Sequence, residues 1–266
     1  MVMTAQNVFI TGAAAGIGRA TALSLSKLGY TVGAFDIDEA GLTSLAEEIE
    51  RSGGKVRTGH LDVRDADEFA TRVTEFAEAD GGKLNVLINN AGVLESGPFE
   101  DIDVAKHHRE IDINTKGVVN GCHAAFPYLR ATKGATVVNL ASASAIYGQA
   151  DLANYSATKF FVRGLTEALN IEWADRDIRV VAIWPLFVQS AMTATLKTGT
   201  TDSLGINLGP QDVADVIVTA VRPGVVNKAV NQVHYTVGRD TAVLAAGSRF
   251  SPVWLTRLVN KRLAHH

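Results

Sequence analysis

The stretch Val8-Phe9-Ile10-Thr11-Gly12-Ala13-Ala14-Ala15-Gly16-Ile17-Gly18 decides how this chain folds. A short β-branched and apolar run passes into a glycine-rich turn, and helical periodicity begins directly beyond it. Glycine permits the tight turn and lets an anionic group approach backbone N–H groups at the positive end of the following helix. A strand feeding a helix through such a turn opens a βαβ unit, and there Gly12, Gly16 and Gly18 point to the pyrophosphate of a dinucleotide.

Outward from this turn the alternation continues. Strands are expected at 8–10, 31–35, 55–60, 86–88, 136–140, 180–183 and 233–237. Helix-period segments at 17–28, 39–51, 65–79, 103–130 and 154–174 separate the first six. Such repetition predicts an α/β fold, a doubly wound parallel sheet of about seven strands with helices on both faces. No linker, repeat or low-complexity tract divides the 266 residues, so one domain over 1–266 is expected, its core filled from the 47% of residues that are hydrophobic. Two stretches stand apart. Residues 186–209, rich in Thr and Gly after the sixth strand, are expected to form a lid or binding element, with a plain surface loop as the alternative. The extension 244–266 intersperses Leu244, Phe250, Trp254, Leu255 and Leu258 with Arg249, Arg257, Lys261 and Arg262. It reads as a helix packed on its own subunit or a partner, with a basic amphipathic membrane contact as the sharper alternative.

Composition narrows the partners. A formal charge of −3 makes no global electrostatic case for nucleic acid or an anionic membrane. The single cysteine, Cys122, rules out an intrachain disulfide and a cysteine-rich zinc site. No apolar run reaches the roughly 18 residues of a membrane span. The first residues enter a strand without the charged and apolar regions of a signal peptide, so a cytoplasmic enzyme acting on a small molecule is expected.

The second strand ends at Phe35-Asp36-Ile37-Asp38, about 20 residues beyond the glycine turn. A carboxylate there accepts hydrogen bonds from both ribose hydroxyls and repels a 2′-phosphate, so Asp36 favours NAD, with NADP left open. A loop carboxylate or helix cap is the alternative for Asp36, although Asp38 is the better cap. Arg19, the nearest cation, is expected on the helix surface. Leu61-Asp62-Val63 and Asn89-Asn90-Ala91-Gly92 close the third and fourth strands on the same sheet edge, where ligands collect. Ser142 follows the fifth strand, and thirteen residues later comes Tyr155-Ser156-Ala157-Thr158-Lys159. The i, i+4 spacing puts Tyr155 and Lys159 on one helix face. A free phenol, with a pKa near ~10, is a poor base at neutral pH, and a nearby ammonium lowers that value.

Taken jointly, Thr11 to Gly18, Asp36, Asp62, Asn89 to Gly92, Asn114, Ser142, Tyr155 and Lys159 resemble the short-chain dehydrogenase/reductases, over about residues 7–190. The resemblance implies a Rossmann-type fold and hydride transfer between a nicotinamide dinucleotide and an alcohol or ketone. It makes Tyr155 the acid-base group and Ser142 the holder of the substrate oxygen, with Ser144 as an alternative hydroxyl. Lys159 would bind the nicotinamide ribose and lower the tyrosine pKa. Asn114 would hold a water linking the lysine to solvent, a buried polar residue satisfying helix carbonyls being the alternative. Asp62 and Val63 fall at the adenine, Asn89, Ala91 and Gly92 along the ribose and sheet, and Ile17 under the pyrophosphate.

After the sixth strand, Pro185 and Val188 fit the family pattern, and by the resemblance Ser190 would supply a hydroxyl for the nicotinamide carboxamide. Leu186 replaces the usual glycine, and a position needing positive φ would disfavour leucine. Candidate substrate contacts are Leu94, Ser96, Ala143, Ile146 and Tyr147, with Gln149, Leu152, Phe187, Met192 and Leu196. The set is mostly apolar and holds no Arg or Lys, so a neutral, fairly hydrophobic secondary alcohol or ketone is expected. Tetrameric members end in a strand and a short Asp-Gly-Gly segment, whereas this chain runs on for nearly thirty residues beyond Gly238. A homodimer through 103–130 and 154–174 is therefore expected, a homotetramer remaining open. A catalytically silent dinucleotide-binding regulator or scaffold is the alternative function, against which the full set Asn114, Ser142, Tyr155 and Lys159 argues.

Overall fold

Seven strands form one sheet in the order β3-β2-β1-β4-β5-β6-β7, and every neighbouring pair is parallel. They are β1 Asn7–Thr11, β2 Thr31–Asp36, β3 Lys55–His60, β4 Val86–Asn89, β5 Ala135–Leu140, β6 Ile178–Trp184 and β7 His234–Thr236. The computed structural model describes residues 6–190, 193 and 198–263. The helices are α1 Gly16–Lys27, α2 Glu39–Arg51, α3 Ala66–Glu78, α4 Val104–Ile111, α5 Gly117–Arg130, α6 Ala153–Glu172, α7 Gly199–Leu204, α8 Pro210–Val221, α9 Val225–Ala229, α10 Arg239–Phe250 and α11 Val253–Leu263. Each expected strand overlaps an observed one.

Parallel strands need crossovers, and the helices that make them cover both faces. Alternation within a strand divides the core accordingly. Val8 and Ile10 of β1 pack with Val32, Ile88 and Val181, and with Leu25 and Ile217, on one face. Phe9 points to the other, stacked on Phe35 at 4.1 Å between ring centroids and flanked by Phe69 and Phe76 of α3. Helix starts follow local chemistry: the Asp38 side chain caps α2 by accepting from the Gly41 amide, and Asp65 caps α3 from the amides of Asp67 and Glu68.

The chain moves from β1 to β2 and β3 on one side, then returns to β4 on the other. A crevice therefore opens outside the carboxyl ends of β1 and β4, where loops diverge. The expected helix 103–130 is broken by one π turn over Asp112–Lys116, between α4 and α5. Residues 244–263 are helical throughout most of their length, in α10 and α11.

Candidate active site

A cavity of about 390 Å³ fills that crevice. At its dinucleotide end the backbone is left-handed at Gly12, φ +66°, and at Gly16, φ +53°, conformations open to glycine at little cost. A Cβ on Gly18 would sit 2.0 Å from the Gly12 carbonyl oxygen, so α1 packs on the turn only through glycine. No side chain caps α1 and no acid stands in its first turn, which leaves its leading amides available to an anion. These features fit a pyrophosphate, with Gly12, Gly16 and Ile17 at the cavity wall.

Asp36 reaches the same wall at the end of β2. One carboxylate oxygen accepts from the Ala14 amide at 3.0 Å and the other from the Asp38 amide at 3.1 Å, so turn, strand and α2 orient it together. Arg19 is engaged elsewhere, 2.8 Å from Glu48 and bonded to the Gly41 carbonyl. Asp62 and Val63 line the cavity, and Asp62 is gripped by Arg64, whose hydrogen bonds hold its carboxyl below the usual range. Arg64 also faces the cavity, a cation that the sequence pattern alone did not single out.

The loop after β4 is tied to β1: the Thr11 hydroxyl accepts from the amides of Asn90 and Ala91, each at 3.1 Å, and the Asn90 amide group donates to the carbonyls of Thr11 and Gly12 at 2.9 Å. Ala91 and Gly92 line the cavity with Asn90. Asn89 does not come to it. Its side chain lies in the sheet interior, donating to Asn139 at 2.8 Å and to Cys122 at 3.5 Å, because the last residue of β4 points to the α5 face. The Cys122 thiol, pushed up to about 12 by burial, packs there as an apolar group.

At the other end stand Ser142, Tyr155 and Lys159, all lining the cavity. Ser142, after β5, shares a hydrogen bond with Ser144 at 3.2 Å and accepts from the Ser144 amide. Lys159 is buried and donates to the Leu140 carbonyl at 2.8 Å, with its ammonium 5.5 Å from the centroid of the Tyr155 ring. In this pocket burial dominates both groups. It pushes the phenol up to about 12, with a hydrogen bond from Ser142 opposing, and draws the lysine down to about 8.

Asn114 sits in the π turn, 1% exposed. Its side chain spans the loop after β4, accepting from the Val93 amide and donating to the Val93 carbonyl, both at 2.9 Å, and it reaches Thr158 of α6 at 3.2 Å. A π turn shifts the hydrogen-bond ladder by one residue, which frees a backbone carbonyl at this level.

Pro185, Val188 and Ser190 line the cavity after β6, with Leu186 and Phe187. Leu186 is not among the residues of positive φ, so its backbone is unstrained and its side chain adds apolar wall. Leu94 and Phe187, expected as substrate contacts, line the cavity, and Leu152 packs with Phe187. Ala143, Ile146, Tyr147 and Gln149 are set back from the wall and Ser96 is exposed. Met192 and Leu196 lie outside the described residues.

Three further groups at the site escaped the sequence pattern. Thr193 lines the cavity and donates to the Val188 carbonyl at 2.6 Å. Arg109 lines it without an ion-pair partner among the described residues. Glu110 is fully buried: its carboxylate accepts from the Glu95 amide at 3.0 Å and from Asn154, the residue before Tyr155, at 2.6 Å. Its place four residues before Asn114 was the available signal, though periodicity cannot say that an acid is enclosed.

The short chain dehydrogenase pattern matches residues 6–201. The chain belongs to the short-chain dehydrogenase/reductase family. It is similar to a 3-oxoacyl-[acyl-carrier-protein] reductase of Thermotoga maritima, 38% identical over 215 residues covering 79% of this chain and 87% of that one. A cyclohexanol dehydrogenase of an Acinetobacter species is 32% identical over 78% of this chain and 84% of its own. Among solved structures, the 3-ketoacyl-(acyl-carrier-protein) reductase of Brucella melitensis complexed with NADH superposes with a TM-score of 0.78 at 28% identity, covering 87% of this chain and 96% of that one. This short-chain dehydrogenase/reductase is accordingly an NAD(P)-dependent oxidoreductase acting on small carbonyl or alcohol substrates.

Proposed function

We propose that this enzyme interconverts a neutral, fairly hydrophobic secondary alcohol and its ketone, with Tyr155 moving the proton. The observation that carries this is the convergence of Ser142, Tyr155 and Lys159 on one cavity whose far end is the uncapped start of α1. Bound nicotinamide supplies or accepts the hydride; the chain positions the substrate and handles the proton. Ser142 holds the substrate oxygen beside the phenol. In reduction the protonated Tyr155 gives its proton to that oxygen. In oxidation the alcohol proton passes to the phenolate. Lys159, anchored at Leu140, supports the charge there and binds the nicotinamide ribose, and Asn114 holds the water that refills the proton.

Asp36 favours NAD through the ribose hydroxyls, with NADP a weaker substitute. Apolar Leu94, Leu186 and Phe187 favour an uncharged substrate, in keeping with the cyclohexanol dehydrogenase among its relatives. Arg109 supplies the test of that neutrality. If a carboxylated ketone were strongly preferred, and Arg109→Ala abolished the preference, the substrate would be anionic instead.

Tyr155→Phe keeps the ring and removes the proton. It should lower ketone-reduction turnover, followed at 340 nm, by about 10²- to 10⁴-fold. The dinucleotide dissociation constant should change by no more than a few fold. Turnover at the unaltered rate would refute the assignment.

A further inference from the structure

Helix α11 carries a face that nothing else among the described residues covers. Trp254 is 67% exposed and Leu258 57%, one turn apart, with Leu255 beside them at 37%. Arg257, Lys261 and Arg262 are exposed around this apolar strip, and no ion pair joins them to another described residue. Helical spacing places Trp254, Leu258, Lys261 and Arg262 on the same side, while Asn260 turns inward to donate to the Gly148 carbonyl.

The chemistry of the strip selects its occupant. From Thr241 to the end of the chain there is no acidic residue, although the whole protein is net −3. A second copy meeting this face isologously would bring two sets of three cations together without a counter-charge, over an apolar patch of three side chains per partner. That is too little apolar contact to offset the repulsion in a stable dimer. A surface of anionic headgroups over acyl chains matches both parts: lipid phosphates for the cations and the interfacial layer for tryptophan and leucine.

We propose that α11 seats this enzyme reversibly on an anionic lipid bilayer surface, without spanning it. The helix is held for that purpose on the substrate side of the molecule. It packs against α7, in the segment after β6 whose earlier residues include Phe187 and Ser190, and it reaches Gly148 in the loop that follows Ser142.

The full-length protein would be sedimented with vesicles of phosphatidylcholine alone and of phosphatidylcholine mixed with phosphatidylglycerol. It should pellet with the mixed vesicles at low salt, be released at high salt, and stay in solution with phosphatidylcholine alone. Trp173 and Trp184 are buried, so a blue shift of fluorescence on the mixed vesicles reports Trp254, and Trp254→Phe should erase it. Reversing Arg257, Lys261 and Arg262 to Glu should weaken vesicle partition by at least about a hundredfold, with thermal midpoint and dinucleotide affinity retained. Protein that remains in solution with both vesicle types overturns the proposal. So does partition unaltered by the charge reversal. A Trp254→Ser, Leu258→Ser variant whose oligomeric size falls, when the unmutated chain ignores vesicles, would assign the face to a second copy.

Discussion

On the proposed reading the preference for NAD rests on one carboxylate, Asp36, aimed by its neighbours. Two backbone amides, of Ala14 and Asp38, hold its oxygens at the cavity rim, and the nearest helix cation, Arg19, is engaged by Glu48. A 2′-phosphate would meet negative charge there, and Arg64, which lines the same cavity, is itself bound to Asp62. The ratio kcat/KM should favour NAD over NADP by about tenfold or more, worth ~1.4 kcal/mol, and Asp36→Ala should shrink it. Michaelis constants measured side by side across a carbonyl panel would decide; a clear NADP preference would mean that Arg64 abandons Asp62 when the phosphate enters.

Among the elements, the join between α4, the π turn and α6 does the most for the site. Asn114 binds the loop after β4 to α6, and Glu110, one turn earlier, binds the same loop through Glu95 and the start of α6 through Asn154. Glu110 is thus a positioning residue behind Tyr155. Burial raises its carboxyl pKa; behind the larger effect of burial on each, its charge adds to the rise at Tyr155 and partly opposes the fall at Lys159. Because the folded value is raised, the stability it contributes is complete below the unfolded carboxylate range, near ~4.3, and is lost as pH rises through the folded value. Glu110→Gln keeps the shape and removes the titration. Its thermal midpoint should lose that downward slope, and its alkaline limb of kcat/KM should move to lower pH. An unaltered pH profile would reduce Glu110 to a structural brace.

For the molecule as a whole, the two long helical segments leave apolar side chains uncovered. Phe160 and Phe161 of α6 are 42% and 44% exposed, Val119 of α5 is 42% and Ile171 is 77%. Apolar surface of this kind on α5 and α6 suits a partner copy. We expect a homodimer on this face, separate from the α11 strip. Phe160→Glu with Phe161→Glu should halve the mass seen by light scattering; an unmutated protein that scatters as a monomer would remove the expectation.

Sequence by itself determined the sheet and one end of the site. Strand period, crossover length and the glycine turn are local properties, so β1 to β7, the crevice edge and the Tyr155–Lys159 face were all legible. So was Asp38 as the cap of α2, since a cap bonds within its own turn. What sequence could not decide were the directions of side chains relative to distant neighbours. Asn89 and Asn90 are adjacent in the chain, yet strand alternation sends one into the sheet and the other to the cavity. Tertiary structure alone enclosed Glu110 and paired Arg64 with Asp62. Desolvation depends on everything packed around a group, and no spacing along the chain records that.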